Sequence, residues 1–292
     1  MPLALIIRKP TNLEQHRLLQ EQRLVGETDP LYLAQATKAH EEHYGCLETL
    51  RKSLQSLGLK YQEASRDQDW TQETFDVVIT LGGDGTLITG SYGIHDKTPL
   101  IGIRSSSASV GYLCAGDAST VHEVLQKFTQ GHLEIDERCR LQAIIQRVDG
   151  RIEKIETLAL NDFLFAAASP AATSRYRLAF LDRIEAHRSS GIWISTATGS
   201  TAGTGAAGGT PMVANDQHFQ FKVRELYHKR EEDLLLTHGF VAPGQDIFWI
   251  ENHCPAAILA LDGEKQVVKI NFGDVIRFAQ AQPVRVARRP LS

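Results

Sequence analysis

The segment Gly82-Gly83-Asp84-Gly85-Thr86 has residue types suited to phosphate chemistry. Glycines lack a Cβ, so their backbone can take positive φ angles and approach a ligand closely. Successive bare amides attract oxyanions, and a following helix N-terminus would add to this attraction. Beside a phosphate, a carboxylate such as Asp84 has two uses: it holds a metal, or it takes a proton from an attacking hydroxyl. Both uses belong to phosphoryl transfer. The alternative is a plain strand-to-helix turn with a capping Asp.

Two further segments contain residues that could bind a sugar or a dinucleotide. In Leu160-Asn161-Asp162, an adjacent amide and carboxylate could grip a ribose, because each sugar hydroxyl both donates and accepts. Such a pair alone is also typical of a turn. Residues 195–209 are almost all hydroxyl, glycine or alanine residues, which allow a ligand close to the backbone. A flexible linker has a similar composition, but Ile192-Trp193-Ile194 just before it has the pattern of a buried strand.

Buried strands are needed to position these segments. Asp76–Leu81 is an apolar, β-branched run of the kind that is covered on both faces of a parallel sheet. Leu3–Ile7 and Pro99–Ile103 are similar, and helical patterns alternate with the strands, which predicts an open, mostly parallel sheet. Ligands of such sheets bind beyond the carboxyl ends of the strands, where Gly82–Thr86 and Arg104–Ser109 would both lie.

The longest helical pattern runs over about residues 31–57 and contains His40-Glu41-Glu42-His43. Two His residues three apart could share a helix face, but the spacing differs from the H-E-x-x-H of zinc proteases. We interpret this stretch as a solvated polar face and not as a metal site.

After about residue 133 the pattern changes to short alternating apolar runs separated by turn signals such as Asp149-Gly150 and Asp262-Gly263. This predicts an antiparallel β domain. One charged segment, Lys222–Leu236, is predicted to be helical, with Glu225–Lys229 as an i,i+4 pair, and its role stays open.

The predicted fold class is therefore an α/β N-terminal domain with a mostly parallel sheet, followed by a C-terminal antiparallel β-sandwich-like domain. We expect the boundary between residues 1–132 and residues 133–292, and leave open that the last residues pack back on the first domain.

Composition excludes several classes of partner. The formal net charge is -4, from 31 basic and 35 acidic residues with interspersed signs, which argues against binding to nucleic acid or to an anionic membrane surface. The apolar start is too short for a signal peptide and no run has the length of a membrane span. The cysteines are widely spaced, which favours reduced thiols and a cytoplasmic protein; they are Cys46, Cys114, Cys139 and Cys254.

The order of the motifs resembles that of NAD kinases. These enzymes share G-G-D-G-T, here residues 82–86, with lipid kinases and, with Ser last, with phosphofructokinases. The second and third motifs, L-N-D at residues 160–162 and S-T-x-T-G-S-T-A at residues 195–202, are similar to NAD kinases specifically. The G-T-x-N-D-x-A segment of lipid kinases is absent. The serine-rich residues 104–107, with Ser189-Ser190-Gly191, look more like the mitochondrial-type branch of the family.

The resemblance implies a sheet-plus-sandwich fold and transfer of a phosphoryl group from ATP, or from polyphosphate, to the adenosine-ribose 2′-hydroxyl of NAD, which makes NADP. It also implies a homo-oligomer (dimer or tetramer) and Mg²⁺ or another divalent cation used with ATP. The sequence shows no dedicated carboxylate cluster, so we expect the donor phosphates to carry the metal. By matching position, Asp84 would accept the proton of that hydroxyl. Phosphates would contact Gly82, Gly83, Gly85 and Thr86, and NAD would contact Asn161, Asp162, Arg175, Arg188, Thr198, Gly199, Ser200, Thr201 and Ala202.

Several departures from the family pattern bear on the substrate. Asp162 replaces the commoner Glu and shortens the reach by one methylene; Gly203 stands where the family often has Tyr, which removes an aromatic platform; Ser190 stands where many members carry Asp. The choices between NAD and NADH and between ATP and polyphosphate stay open. So do two alternative functions: a kinase of another polyol (a lipid or a sugar), and an NAD-binding regulator that has lost catalysis.

Overall fold

A computed structural model describes residues 2–26, 28–66, 68, 70, 74–227, 234–264 and 266–289. Residue contacts divide the chain into two compact units, Met1–Glu137 with Val284–Ser292, and Arg138–Pro283. Within the described ranges, no helix combines the length and the apolar character needed to cross a bilayer. The helices are α1 (Asn12–Glu21), α2 (Pro30–Ser56), α3 (Asp84–Ser91), α4 (Val121–Thr129) and α5 (Gly203–Ala206). The strands are β1 (Leu3–Arg8), β2 (Lys60–Ser65), β3 (Val77–Gly82), β4 (Leu100–Arg104), β5 (Gly116–Asp117), β6 (Ile135–Gln146), β7 (Ile152–Lys154), β8 (Asp162–Ala167), β9 (Ser174–Phe180), β10 (Arg183–Ser189), β11 (Gly191–Ser195), β12 (Phe219–Arg224), β13 (His238–Val241), β14 (Phe248–Asn252), β15 (Ala257–Leu261), β16 (Gln266–Ile270) and β17 (Val275–Ala287).

The first unit is built on a parallel sheet. Strand β1 pairs with β2 on one side and with β3 on the other, and β3 pairs with β4, all in parallel. The end of β17 runs parallel to β4, with Val286 opposite Leu100. Every residue of β3 is buried, as expected for a strand covered on both faces. The predicted mostly parallel sheet is confirmed.

Helices cover both faces of this sheet. Leu47 and Leu50 of α2 and Val124 of α4 join Val77 and Ile79 of β3 in one apolar core. On the other face α3 packs so closely that a Cβ on Gly90 would lie 2.5 Å from Thr80 Cγ2. The two packed faces hold the carboxyl ends of the strands in place, and that edge carries the residues with predicted chemistry.

The second unit contains two antiparallel sheets. One has the strand order β13-β12-β11-β8-β15-β16, and the other contains β10-β9-β14-β17, with β6 also next to β17 and β7 paired with β6. Aromatic rings fill the space between them: the centroids of Phe163 and Phe278 are 5.4 Å apart, and Phe221 stacks on Phe248 at 4.8 Å. Sheets that interdigitate their inner side chains form a sandwich, so the predicted antiparallel, sandwich-like architecture is confirmed.

The predicted helix over Lys222–Leu236 is wrong at its start. Residues 222–224 complete β12, and burial alternates from Phe221 to Arg224, through the charged residues. Charged side chains occupy the open side of a strand without ending it, so charge alone is a poor boundary signal. Lys229, and with it the proposed pair with Glu225, lies outside the described residues.

Candidate active site

Asp84 lies at the carboxyl edge of the parallel sheet, as the first residue of α3. Strand β3 ends at Gly82 and Gly83 is the N-cap residue, so the carboxylate follows a buried strand directly. Its Oδ1 accepts the Leu113 N–H at 2.7 Å and its Oδ2 accepts the Tyr112 N–H at 3.1 Å. The side chain is half-buried. Two amides and a helix N-terminus therefore fix the orientation of a carboxylate that solvent can still reach.

The glycines of this loop have different surroundings. A Cβ on Gly82 would lie 2.2 Å from Thr86 Oγ1, and a Cβ on Gly83 would lie 2.9 Å from the Ser109 side chain. Apart from chain neighbours and the backbone of its own helix, no atom of the described residues lies within 4 Å of a Cβ on Gly85. Packing within the protein therefore requires glycine at the first two positions, and Gly85 is the one with open space for a ligand. Thr86 is only 1% exposed, and its Oγ1 has no hydrogen-bond partner among the described residues.

Residues 104–113, named the serine loop here, contact helix α2 at the start of the loop and Asp84 at its end. At the start of the loop, Ser105 Oγ lies 2.8 Å from His43 Nδ1 and the Ser107 N–H donates to a Glu42 carboxylate oxygen at 2.6 Å. At its end are the two amides that hold Asp84. The prediction of a solvated polar face is wrong for His43, which is 2% exposed. The reason is helical spacing: residues 43, 47, 50 and 54 form the buried stripe of α2.

Asp162, which is buried, and Asp262, which is half-buried, form a carboxylate pair in the second unit. The Asp262 carboxylate accepts the N–H groups of Leu160, Asn161 and Asp162 at 2.8–2.9 Å. Asp162 is 5% exposed, and burial, together with the negative charge of Asp262, raises its pKa to about 8. Asp162 is therefore protonated at neutral pH and can donate a hydrogen bond, whereas a carboxylate only accepts.

The hydroxyl-rich segment packs against the same backbone. Thr196 Oγ1 donates to the Leu160 carbonyl and accepts the N–H groups of Thr198 and Gly199. A Cβ on Gly199 would lie 2.2 Å from the Asn161 carbonyl oxygen, so this approach requires glycine. The structure thus brings Asn161, Asp162, Thr198 and Gly199 together, with Thr201 and Ala202 exposed on the following turn.

Several buried polar atoms in these segments lack a partner among the described residues. They are Asn161 Oδ1, Ser195 Oγ, Thr198 Oγ1 and Thr204 Oγ1. Buried groups of this kind are normally satisfied by the protein, by water or by a ligand. A ligand with hydroxyl and amide groups, such as the ribose of a nucleotide together with its base, could satisfy them.

Arg175 and Arg188 stand directly opposite each other on the antiparallel strands β9 and β10. Both are exposed, and both line a cavity of 210 Å³ together with His187, His253 and Tyr227, among others. Like charges at facing positions of a sheet destabilise it, so this pair favours an anion between the two side chains. No hydrogen bond or ion pair in the described part of the chain joins the arginines to residues 160–162.

Sequence reasoning missed two contributors to the site. Asp262 is recognised from the sequence only as a turn residue before Gly263; its φ of 49° and its three amide contacts come from the fold. The amides of Tyr112 and Leu113 carry no side-chain signal at all. An Asp directly before a glycine is the one clue that the sequence offers for Asp262, since Asp tolerates a left-handed backbone conformation better than most residues.

Comparisons with known proteins agree on one family. A sequence profile described as the ATP-NAD kinase N-terminal domain matches residues 12–133. The chain is 28% identical to an NADH kinase of Arabidopsis thaliana over 96% of this chain and 93% of that protein, and 29% identical to an NAD kinase of Moorella thermoacetica over 72% and 66%. The crystal structure of an NAD kinase from Archaeoglobus fulgidus in complex with ATP superimposes with a TM-score of 0.70, at 17% identity, over 98% of this chain and 94% of that one.

Residues 12–133 match the N-terminal domain of the NAD kinase family. The relatives that align over most of this chain are named NAD kinase or NADH kinase. Similarity to a plant NADH kinase is consistent with the mitochondrial-type branch that the serine-rich segments resemble.

Among the departures from the NAD kinase pattern, Gly203 has a structural reason. A Cβ at this position would lie 2.7 Å from Cζ2 of Trp193, so no larger side chain fits beside this ring. The Arg224 guanidinium lies 5.7 Å from the centre of the same ring. The sequence predicts the loss of an aromatic platform here, but the fold places an indole against that position.

Proposed function

We propose that this chain phosphorylates NAD or NADH at the 2′-hydroxyl of the adenosine ribose, with ATP or polyphosphate as the phosphoryl donor. The observation that carries this proposal is the position of Asp84, a half-buried carboxylate held by two backbone amides at the edge of a parallel sheet, inside the G-G-D-G-T motif of a kinase family. A side chain so fixed can accept the proton of an attacking alcohol, since general bases act from a defined position.

Alignment of the reactants would do most of the catalytic work. Phosphoryl transfer needs little covalent chemistry from the protein, and its rate depends on positioning and on compensation of charge. In our proposal, Gly85 exposes its backbone to the donor phosphates while Asp84 accepts the proton from the 2′-hydroxyl. Gly82, which packs closely against Thr86, and Gly83 support this edge of the loop. Their backbone N–H groups would donate to phosphate oxygens.

The second unit supplies the groups that we assign to NAD. Asn161 and neutral Asp162 offer acceptor and donor groups to the sugar hydroxyls, and the pKa of about 8 for Asp162 supports its role as a donor. Thr198, Gly199 and Ser200, followed by exposed Thr201 and Ala202, would line the dinucleotide. We assign the facing pair Arg175 and Arg188 to an anionic part of NAD, because two guanidinium groups that face each other suit a phosphate.

The divalent cation in this proposal travels with the donor. No group of three or more His, Cys, Asp or Glu side chains among the described residues could hold a metal ion, and we therefore assign the cation to the donor phosphates. Bound to the donor phosphates, Mg²⁺ would supply charge neutralisation.

A coupled assay for NADP or NADPH tests the proposal directly. The purified chain is offered NAD or NADH as acceptor, and ATP or tripolyphosphate as donor, with Mg²⁺ present throughout. Product with at least one pair supports the proposal and identifies both substrates. Absence of product with every pair, for a folded protein that binds NAD, would overturn it and favour the NAD-binding regulator. Product from a lipid or sugar acceptor alone would favour the polyol kinase. Size measurement of the same sample tests our proposal of a homo-oligomer, and cell fractionation tests the proposed cytoplasmic location.

A further inference from the structure

A second polar cavity lies beside the glycine loop, in the first unit. Its volume is 90 Å³, which corresponds to a few water molecules or one phosphate-sized group. It lies where the carboxyl ends of β1 and β4 meet α1 and α2, the edge at which parallel sheets bind ligands. The residues around it are Lys9, Thr11, Asn12, Ala39, His43, Ser105, Ser106, Ala108 and Ser109.

One wall of this cavity is shared with the glycine loop. Ser109 lines the cavity, and its side chain lies against Gly83, where a Cβ would come within 2.9 Å of it. The Ser105 N–H donates to the Gly82 carbonyl at 3.1 Å. A chain of phosphates lying along the glycine loop could therefore continue into the cavity.

His43 provides a buried polar atom that has no partner among the described residues. It is 2% exposed; its Nδ1 contacts Ser105, while Nε2 has no hydrogen-bond partner among the described residues. Burial, reinforced by the positive charge of Arg8, lowers the His43 pKa to about 4, so the ring is neutral. When Ser105 Oγ donates to Nδ1, Nε2 carries the proton and becomes a donor.

The charges around the cavity suit an anion. Lys9 lines it, Arg8 is the preceding residue, and the N-terminal end of α1 adds positive partial charge. The nearest carboxylate of α1, Glu14, is already occupied, because it accepts the Thr11 N–H at 2.7 Å and the Tyr44 hydroxyl at 2.6 Å. Hydroxyl groups of the serine loop add neutral donors.

We propose that this cavity binds one phosphate group of the phosphoryl donor, with Lys9 and His43 Nε2 as its principal contacts. The inference rests on the proposed function, which brings a polyphosphate chain to the glycine loop. It deepens that function, because it gives the donor a second anchoring point beyond Gly83. A donor with a long phosphate chain would use both positions.

The test uses tripolyphosphate as the probe, with the full chain and without NAD. Calorimetric titration compares the wild-type chain with Lys9→Met and His43→Leu, and with matched controls at exposed positions, Lys52→Met on α2 and His122→Leu on α4. We expect the dissociation constant for tripolyphosphate to rise by about 10-fold or more in the first two variants, since each loses a contact to a charged group, and to stay unchanged in the controls. His43→Gln keeps an N–H donor and should bind nearly as the wild type does, which keeps the test valid if His43→Leu does not fold.

Two outcomes would overturn the proposal. In one, a folded Lys9→Met chain binds tripolyphosphate as tightly as the wild type; in the other, Lys52→Met weakens binding equally, so that only general charge matters. Donor kinetics separate this inference from the proposed function. If the chain is an active kinase and Lys9→Met keeps the wild-type KM for the donor, the cavity proposal is wrong and the proposed function stands. If the chain never makes NADP but Lys9→Met weakens its binding of tripolyphosphate, the cavity proposal is supported and the proposed function is rejected.

Discussion

The Asp84 carboxylate combines accessibility with a fixed orientation. Its two oxygens accept the amides of Tyr112 and Leu113, while the side chain is only half-buried. An Asn at this position keeps the shape and one acceptor oxygen, but it cannot take a proton, and its NH2 group faces one of the two backbone amides. The substitution therefore removes the base and also one hydrogen bond, so stability has to be measured together with the rate.

We expect Asp84→Asn to lower kcat by about 10²–10⁴-fold, the usual contribution of a general base. The rate of NADP formation measures the effect, and the thermal unfolding midpoint checks the fold. Asp96→Asn is the matched control, because Asp96 also accepts a backbone amide, that of Thr98, at 2.8 Å. Full turnover by a folded Asp84→Asn chain would remove Asp84 from the mechanism.

Asp162 makes the stability of the chain depend on pH in a particular direction. Its pKa is raised to about 8 by burial and by Asp262. A raised pKa means that the folded state binds the proton more tightly than the unfolded state does. The contribution of protonated Asp162 to the free energy of unfolding is fully present below the pKa that Asp162 has in the unfolded chain. This contribution is lost as the pH rises through about 8. Asp162→Asn, which is neutral at every pH, should remove this dependence.

Expressed as a measurement, the free energy of unfolding of Asp162→Asn should exceed that of the wild type by about 1–3 kcal/mol at pH 9, and the difference should shrink toward pH 4. Denaturant titrations at several pH values give these differences. The exposed Asp149→Asn serves as the control for general charge effects. A difference between wild type and Asp162→Asn that does not change with pH would contradict the assignment of a neutral Asp162.

At the scale of elements, the first turn of α3 offers a comparison between two glycines. A Cβ added to Gly85 in α3, or to Gly45 in α2, would have no atom of the described residues within 4 Å, apart from its chain neighbours and the backbone of its own helix. Alanine at either site should stabilise its helix by about 0.5–1 kcal/mol, since glycine is the more flexible residue in the unfolded chain.

Only Gly85→Ala should affect catalysis. A methyl group there stands in the open space that we assign to the donor phosphates, so kcat/KM for the donor should fall by about 10-fold or more. Gly45→Ala is the matched control and should keep wild-type kinetics. If Gly85→Ala is fully active, the phosphates approach the loop elsewhere.

The facing arginines of β9 and β10 predict opposite effects on binding and on stability. Arg188→Ala should raise the KM for NAD by about 10-fold, because an anion loses a charged contact. The unfolding midpoint should stay level or rise, since like charges at facing positions repel. Arg183→Ala, also exposed on β10, is the matched control. An unchanged KM in Arg188→Ala would show that this pair lies away from the substrate.

Local sequence patterns were sufficient to predict many of these elements, but not their contacts. The buried strand before Gly82 and the long helix α2 are visible as apolar patterns, and the order of the motifs identifies the family. The register that sets Arg175 opposite Arg188 depends on a turn at Leu181, which has a φ of 56° and no glycine to signal it. Helical spacing with Leu47, Leu50 and Leu54 indicates the buried face of His43, but its contact with Ser105 could not be predicted, because the two residues lie far apart in the sequence.

At the scale of the whole molecule, the first unit consists of two separate stretches of the chain. The end of β17 contributes Val284, Val286 and Ala287, all buried at 2% exposure or less. A chain that stops after Pro283 loses these contacts, and burial of each valine is worth about 1.5–3 kcal/mol.

We therefore expect such a truncated chain to unfold at a markedly lower temperature. Its β4 amides should exchange hydrogen faster than those of the wild type, because the partner strand is missing. A chain ending at Arg289 keeps all of β17 and is the control. Equal exchange at β4 in both truncated chains would contradict the structural role of the returning strand.

The return of β17 to β4 also bears on how the protein is made. A ribosome completes the entire second unit before it releases Val284–Ala287, so throughout that interval the nascent first unit carries an apolar strand without one of its neighbours. An open strand edge of this kind pairs readily with other chains. Synthesis at slow speed or high density would then promote misassembly at β4, and this strand is the place where a chaperone would have most to protect.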